Sequence, residues 1–161
     1  MIRTAILFTI VTTAILACSS EQEVVVPQTE TIELVSFEQV GKGVLFGGGQ
    51  EGIVEMQAVL RSEEDWTHLK QQMDSVNKVT REFRDQDLDF SKEMIIVCVD
   101  KLRGSGGYEI EIIDILEYPK KIVVIVEQVN PSEMATSVMT QPFHVVKIPK
   151  SEKQIVFKEK E

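Results

Sequence analysis

The sequence predicts an α+β fold in which strands dominate: an antiparallel β-sheet, arranged as a sandwich or a partly open barrel, with one amphipathic helix over about residues 62–77 packed on it. Three observations carry this reading. Met94–Val99 (MIIVCV) and Ile122–Val126 (IVVIV) are short apolar runs, rich in β-branched residues and bounded by charge, as expected of central strands wetted on neither face. Other segments alternate apolar and polar residues with a period of 2, the pattern of a strand with one buried face. One segment repeats at helical spacing instead.

In chain order, Val54, Met56, Ala58 and Leu60 alternate with Glu55, Gln57 and Val59 and predict the first clear strand. The helix follows. Ser62 offers a hydroxyl N-cap, Glu63, Glu64 and Asp65 place acids in the first turn, and Trp66, Leu69, Met73 and Val76 form the apolar stripe. Beyond the MIIVCV strand, Tyr108, Ile110 and Ile112 face one way and Glu109 and Glu111 the other; the phase slips at Ile113, where a bulge is expected. Tyr118-Pro119-Lys120-Lys121 is a tight connection, so this strand and IVVIV should pair as an antiparallel hairpin. Phe143–Ile148 and Ile155–Phe157 complete the expected sheet.

The first residues have a different character. Arg3 precedes an uncharged apolar run from Ala5 to Ala17, shorter than the roughly 20 residues needed to cross a bilayer as a helix, and this is the layout of an export signal. The run ends in Ile15-Leu16-Ala17-Cys18, which resembles the lipobox of bacterial lipoproteins, with Ile15 where that family most often has leucine. The resemblance implies cleavage before Cys18 and lipid on its sulfur. The expected organisation is therefore a signal peptide over 1–17, a lipidated flexible tether over 18–31, and a single domain over 32–161. Membrane contact would run through the lipid on Cys18, placing the domain in the cell envelope, at the outer membrane in a Gram-negative cell, with leaflet and face left open.

Charge excludes one class of partner. The chain carries 26 Asp and Glu against 17 Lys and Arg, a net charge of −9, and the leader takes Arg3 and no acid with it. Nucleic-acid affinity comes largely from cations displacing counterions, so no nucleic-acid partner is expected.

The candidate chemistry is sparse. Gly47-Gly48-Gly49-Gln50-Glu51-Gly52 spells GxGxxG, yet an alternating strand follows it where a dinucleotide site needs a helix, and Glu51 would sit where phosphate should lie; these glycines read as a turn. Arg103-Gly104-Ser105-Gly106-Gly107-Tyr108 is neither a P-loop nor a nucleophile elbow. His68 falls on the exposed side of the helix, and His144 reads as a surface or satisfied histidine. Cys98, inside MIIVCV, reads as a buried, inert filler. Two separated histidines and one buried cysteine make no transition-metal site. No metal, no cofactor and no catalytic residue is expected, and the chain reads as a non-enzyme. Its rival, a hydrolase pairing His144 with Ser105 or another hydroxyl, needs a geometry that sequence does not supply.

The Arg103–Tyr108 loop admits two readings. Its glycines bracket close backbone approach between an arginine and a tyrosine, types enriched at interface hot spots, which suits protein recognition. The other is a long β-turn whose Tyr108 packs at the start of its strand.

These same residues carry a resemblance. DFSKEMIIVCVDKLRGSGGYEIEI and KKIVVIVEQVNPSEMATSVMTQPFHVVKIPK are similar to the C-terminal domain of the protease complex subunit PrcB family, on Arg103, Ser105, Gly106, Gly107 and Tyr108, then Thr140, Pro142, Phe143 and Val146. The similarity extends from about Val54 to residue 150 and is strongest there; Gly104 departs from the family's frequent proline, and Asn130-Pro131-Ser132 from a more glycine-rich turn. The resemblance implies an exported, non-enzymatic subunit that supports assembly or stability of a partner such as a subtilisin-like surface protease. Arg103, Ser105, Gly106, Gly107, Tyr108, Pro142 and Phe143 are then the expected partner contacts. An alternative within protein recognition is protease inhibition through the Gly-Gly-Tyr loop, which loosely resembles loops of chagasin-type inhibitors.

Overall fold

The computed structural model describes residues 31–131 and 136–160; the apolar leader, Cys18 and the tether up to residue 30 lie outside the described residues. The elements are β1 (Glu33–Leu34), β2 (Glu38–Leu45), β3 (Met56–Leu60), α1 (Glu63–Met73), a 3-10 turn (Val79–Glu82), β4 (Glu93–Val99), β5 (Glu109–Glu117), β6 (Lys121–Val129), β7 (Gln141–Pro149) and β8 (Gln154–Glu159). They form two four-stranded sheets of order β1-β5-β6-β8 and β2-β7-β4-β3.

The molecule has three layers. Along β4, Ile95, Val97 and Val99 point to a core shared with Trp66, Leu69, Met73 and Phe83, while Met94, Ile96 and Cys98 point to a second core shared with Ile110, Ile112, Ile115, Ile122, Val124 and Val126. The second sheet is thus buried on both faces, by α1 on one side and the first sheet on the other. A strand in that position needs an apolar residue at every step, which is why MIIVCV has no alternation. β7 splits the same way, with Val145 on the helix side and Val146 and Ile148 between the sheets.

The expected sandwich is what forms, but not with every pair antiparallel. β8 runs parallel to β6, because β7 crosses to the other sheet between them. Phe143–Ile148 accordingly lies beside β2 and β4 and not beside β8. The bulge stands where the phase slips, between Ile112 and Asp114, and the β5–β6 hairpin closes through Tyr118 N–H to Lys121 O at 2.8 Å.

The helix is shorter than its stripe suggests. Ser62 Oγ caps Asp65 N–H at 3.2 Å, and Trp66, Leu69 and Met73 are buried. Beyond Met73, the Asp74 carboxylate accepts from Thr80 N–H (3.0 Å) and Thr80 Oγ1 (2.8 Å), drawing the chain into the 3-10 turn and leaving Val76 exposed. The Asp85 carboxylate then pins the helix, accepting from Trp66 Nε1 at 2.9 Å and Lys70 Nζ at 2.6 Å. The other departure is Val54. The strand starts at Met56, Ile53 takes the buried place, and Val54 is exposed, because Gly52, at φ 69°, resets the phase ahead of them.

Strand register defines two ends. Leu45 opposite Gln141, Val99 opposite Phe143 and Glu109 opposite Val129 mark the loop end; Glu33 opposite Glu117, Glu93 opposite Pro149 and Lys121 opposite Gln154 mark the base.

Candidate partner-binding site

At the loop end, the chain leaves β4 through Asp100, and the turn is tied down at once. Asp100 N–H donates to Pro142 O (2.8 Å), and Arg103 and Thr140 exchange backbone hydrogen bonds of 2.8 and 3.1 Å. The Asp100 carboxylate is fully buried and accepts from Lys101 N–H at 2.8 Å and from Arg103 Nε at 2.6 Å. Arg103 Nη2 reaches Gln128 on β6 at 3.0 Å, and the guanidinium carbon lies 4.6 Å from the centroid of the Tyr108 ring. Arg103 is therefore spent within the molecule: it joins the loop to both sheets and carries Tyr108 on its face.

The neighbouring loops are joined as firmly. Gly106 N–H donates to Thr136 O (2.9 Å), and Thr140 Oγ1 to Ser105 O (2.8 Å). Gly107 holds φ 88° with Pro131 packed on it, so that a Cβ here would stand 2.8 Å from the proline ring. The Gly47–Gly52 turn closes on Glu51, whose carboxylate is buried and accepts from Gly47 N–H at 2.7 Å. Gln141 Nε2 ties that turn to β4, donating to Ile53 O (2.9 Å) and Asp100 O (3.0 Å). The turn reading of this glycine motif stands, and its acid is structural.

The expected contact residues separate into two groups. Arg103, Ser105, Gly106, Gly107 and Tyr108 are gathered in one loop, of which Gly107 is exposed, Arg103, Ser105 and Tyr108 are half-buried and Gly106 is buried. Pro142 and Phe143 are not part of that surface. Both are buried in β7, and the Phe143 ring meets Phe83 at 5.8 Å between centroids; the side-chain alternation of β7 turns Phe143 to the helix side and Pro142 between the sheets. A groove of about 500 Å³ opens beside Tyr108, lined by Lys42, Val44, Gly107, Glu109 and Ile110 among others.

His144 has a role that its sequence context does not announce. It is 2% exposed, points between the sheets, and its Nδ1 accepts the N–H of Ile112, the residue before the bulge, at 2.8 Å. Burial, with the Lys42 ammonium nearby, pushes its pKa down to about 4, against an opposing pull from Glu111. Lys42 sits opposite it on β2 and pairs with Glu109 (3.0 Å) and Glu111 (3.2 Å) on β5. His144 and Lys42 thus stitch the two sheets along one flank. No hydrogen bond joins His144 to Ser105 or to any other hydroxyl among the described residues, so the pair a hydrolase would need is not assembled. Cys98, opposite His144 on β4, is fully buried, and burial raises its thiol pKa to about 12.

Residues 94–149 match the family model described as PrcB C-terminal. The matched segment, about a third of the chain, is similar to the PrcB C-terminal family. It spans β4 to β7, the two middle strands of each sheet, together with the Asp100–Tyr108 loop and Thr140; the helix and the flanking strands lie outside the match. The PrcB C-terminal family suggests an accessory domain associated with a protease complex. A search of curated proteins and a search of solved structures each return no match.

Proposed function

We propose that this chain is a non-catalytic, lipid-anchored subunit of the bacterial cell envelope that binds a protein partner, such as an exported subtilisin-like protease, and supports its assembly or stability. The observation that carries the reading is the PrcB C-terminal match over the middle of both sheets. Two others support it. The Ile15-Leu16-Ala17-Cys18 sequence resembles a lipidation signal, and Asp100, Arg103 and Gln141 tie the Gly47–Gly52 and Asp100–Tyr108 loops to the strands by hydrogen bonds, which favours binding without large rearrangement.

The test is retention of a partner by the tagged full chain from detergent-solubilised envelopes, with fatty-acid labelling of the same preparation. Wild type should carry label and Cys18→Ser should not. A stoichiometric protein partner should co-purify, with any proteolytic activity unchanged or raised by the chain. Absence of a partner removes the reading, and a fall in that activity replaces an assembly subunit with an inhibitor.

A further inference from the structure

One flank of the sandwich carries unpaired strand edges. β2 is the outermost strand of the second sheet, and β1 covers the outer edge of β5 only at Ile115, Leu116 and Glu117. The chain crosses from one sheet to the other at residues 35–37, near the base. Above that crossing the groove of about 500 Å³ runs between the two edges, lined by Lys42, Gly43 and Val44 on one side and Tyr108, Glu109 and Ile110 on the other. Register decides which main-chain groups face outward. Asp100 N–H donates to Pro142 O, so Pro142 presents its main chain to β4, and His144, two residues on, does the same. Their register partners on β2, Val44 and Lys42, therefore present theirs away from β7. Val40 follows the same alternation: its carbonyl accepts Arg84 N–H at 2.9 Å on that outer side. Among the described residues, no loop backbone bonds the outward N–H and C=O of Lys42 or Val44.

We propose that an extended segment of a protein partner, bearing a Lys or Arg, adds to β2 in this groove as a further strand of the second sheet. The proposal rests on the accessory-subunit reading above and says where on the domain the partner sits. Outward donors and acceptors at every second residue are matched by an extended backbone, and alternate side chains of the added strand then fall on Val44, Tyr108 and Ile110.

Charge selects the occupant. Lys42 Nζ is shared between Glu109 at 3.0 Å and Glu111 at 3.2 Å, whose side chains are 57% and 40% exposed. One lysine against two carboxylates leaves the rim acidic, and a cation on the incoming strand completes the pairing. The chain's own residues 18–31 carry Glu21, Glu23 and Glu30 and no Lys or Arg, so they would set acid against acid. The anionic headgroups of a membrane would do the same.

The test places a photo-reactive amino acid at position 39 or 109 of the full chain in cells, with the exposed position 158 on β8, at the opposite edge of the first sheet, as control. Mass spectrometry of the adduct identifies the partner segment, and a synthetic peptide of that segment is titrated against the full chain in detergent. Val44→Pro removes the outward N–H and spares the β7 ladder; Val44→Ala is its control. Supporting results are adducts from 39 and 109, and none from 158, to one segment containing Lys or Arg. The peptide should slow amide exchange at Lys42 and Val44 and bind Val44→Pro about tenfold more weakly than Val44→Ala, the effect of one or two lost main-chain bonds. If Val44→Pro does not fold, exchange in the wild-type chain decides. Adducts confined to residues 18–31, to a second copy of the chain or to lipid overturn the proposal. So do unchanged exchange, equal binding by the two variants, or no adduct from a chain that holds its partner. Each of these leaves the accessory-subunit reading in place, whereas failure of wild type to hold any partner overturns both.

Discussion

His144 makes the stability of this domain depend on pH in a way that can be isolated. Its Nδ1 accepts Ile112 N–H at 2.8 Å, which requires that nitrogen to be unprotonated; protonation would turn the acceptor into a donor facing a donor and add a charge beside Lys42 in a dry gap. The histidine accordingly titrates near 4 in the fold, against 6.5 for an ordinary histidine. The unfolded chain takes up this proton near pH 6.5 and the native state near pH 4, so the contribution is complete above pH 6.5 and lost as the pH falls toward 4. At about 1.36 kcal/mol per pH unit, the loss comes to about 2 to 3 kcal/mol. The assay is urea unfolding followed by the fluorescence of Trp66, the single tryptophan, at pH 7, 5.5 and 4. His144→Asn is the comparison, since its oxygen can accept from Ile112 but does not titrate. Asp and Glu contribute equally to both proteins, so wild type should lose about 2 to 3 kcal/mol more than the variant between pH 7 and 4. Parallel loss in the two would refute this account of His144.

Three further outcomes follow from the loop end and the core. Gly107→Ala should cost about 1 to 3 kcal/mol, from positive φ and the clash with Pro131, whereas Gly104→Ala, with open space around it, should stay within about 0.5 kcal/mol by thermal melting. Asp100→Ala removes the partner of Arg103 and the acceptor of Lys101 N–H; a loss of about 2 to 4 kcal/mol in chemical denaturation is expected, together with protease sensitivity between residues 100 and 108. Cys98, with its thiol pKa raised to about 12, should resist alkylation at pH 8 in the native protein and react in guanidinium; native labelling at the rate of a free thiol would contradict the packing.

Much of the fold is legible in the sequence because it is local. The Ser62 cap, the Trp66–Leu69–Met73 stripe, the bulge after Ile112 and the hairpin at Tyr118–Lys121 are each written within a few consecutive residues. What is not legible depends on contacts distant in sequence. Val76 has the right spacing for the stripe, yet the hydrogen bonds from Thr80 to Asp74 end the helix before it. Two runs of apolar residues look alike, and nothing in MIIVCV says that a helix covers one face and a second sheet the other. The site divides similarly. Composition singles out the Arg103–Tyr108 loop but leaves recognition and a plain β-turn both open, because Asp100 and Gln128 meet the arginine only in the fold. Pro142 and Phe143 read as partner contacts although they sit inside a continuous apolar strand, a signal present in PFHVV. The lone histidine in that same strand is the available hint to the Ile112 contact. Leu102 and Met139 lie on different loops, and only folding brings both beside the Gly48–Gly49 backbone.

The position of β7 has a consequence for how the chain reaches this structure. β2 and β4 both pair with β7, and the pairing joins residues 38–45 to residues 141–147. Until Gln141 and its successors are synthesised, the β5–β6 hairpin and the β3–β4 ladder can form, but the middle of the second sheet is missing and the apolar residues of β4 have no neighbour on one edge. Such late, non-local closure slows folding. A chain arrested before Gln141 therefore lacks the strand that joins β2 to β4, and the residues that follow close the second sheet into a domain.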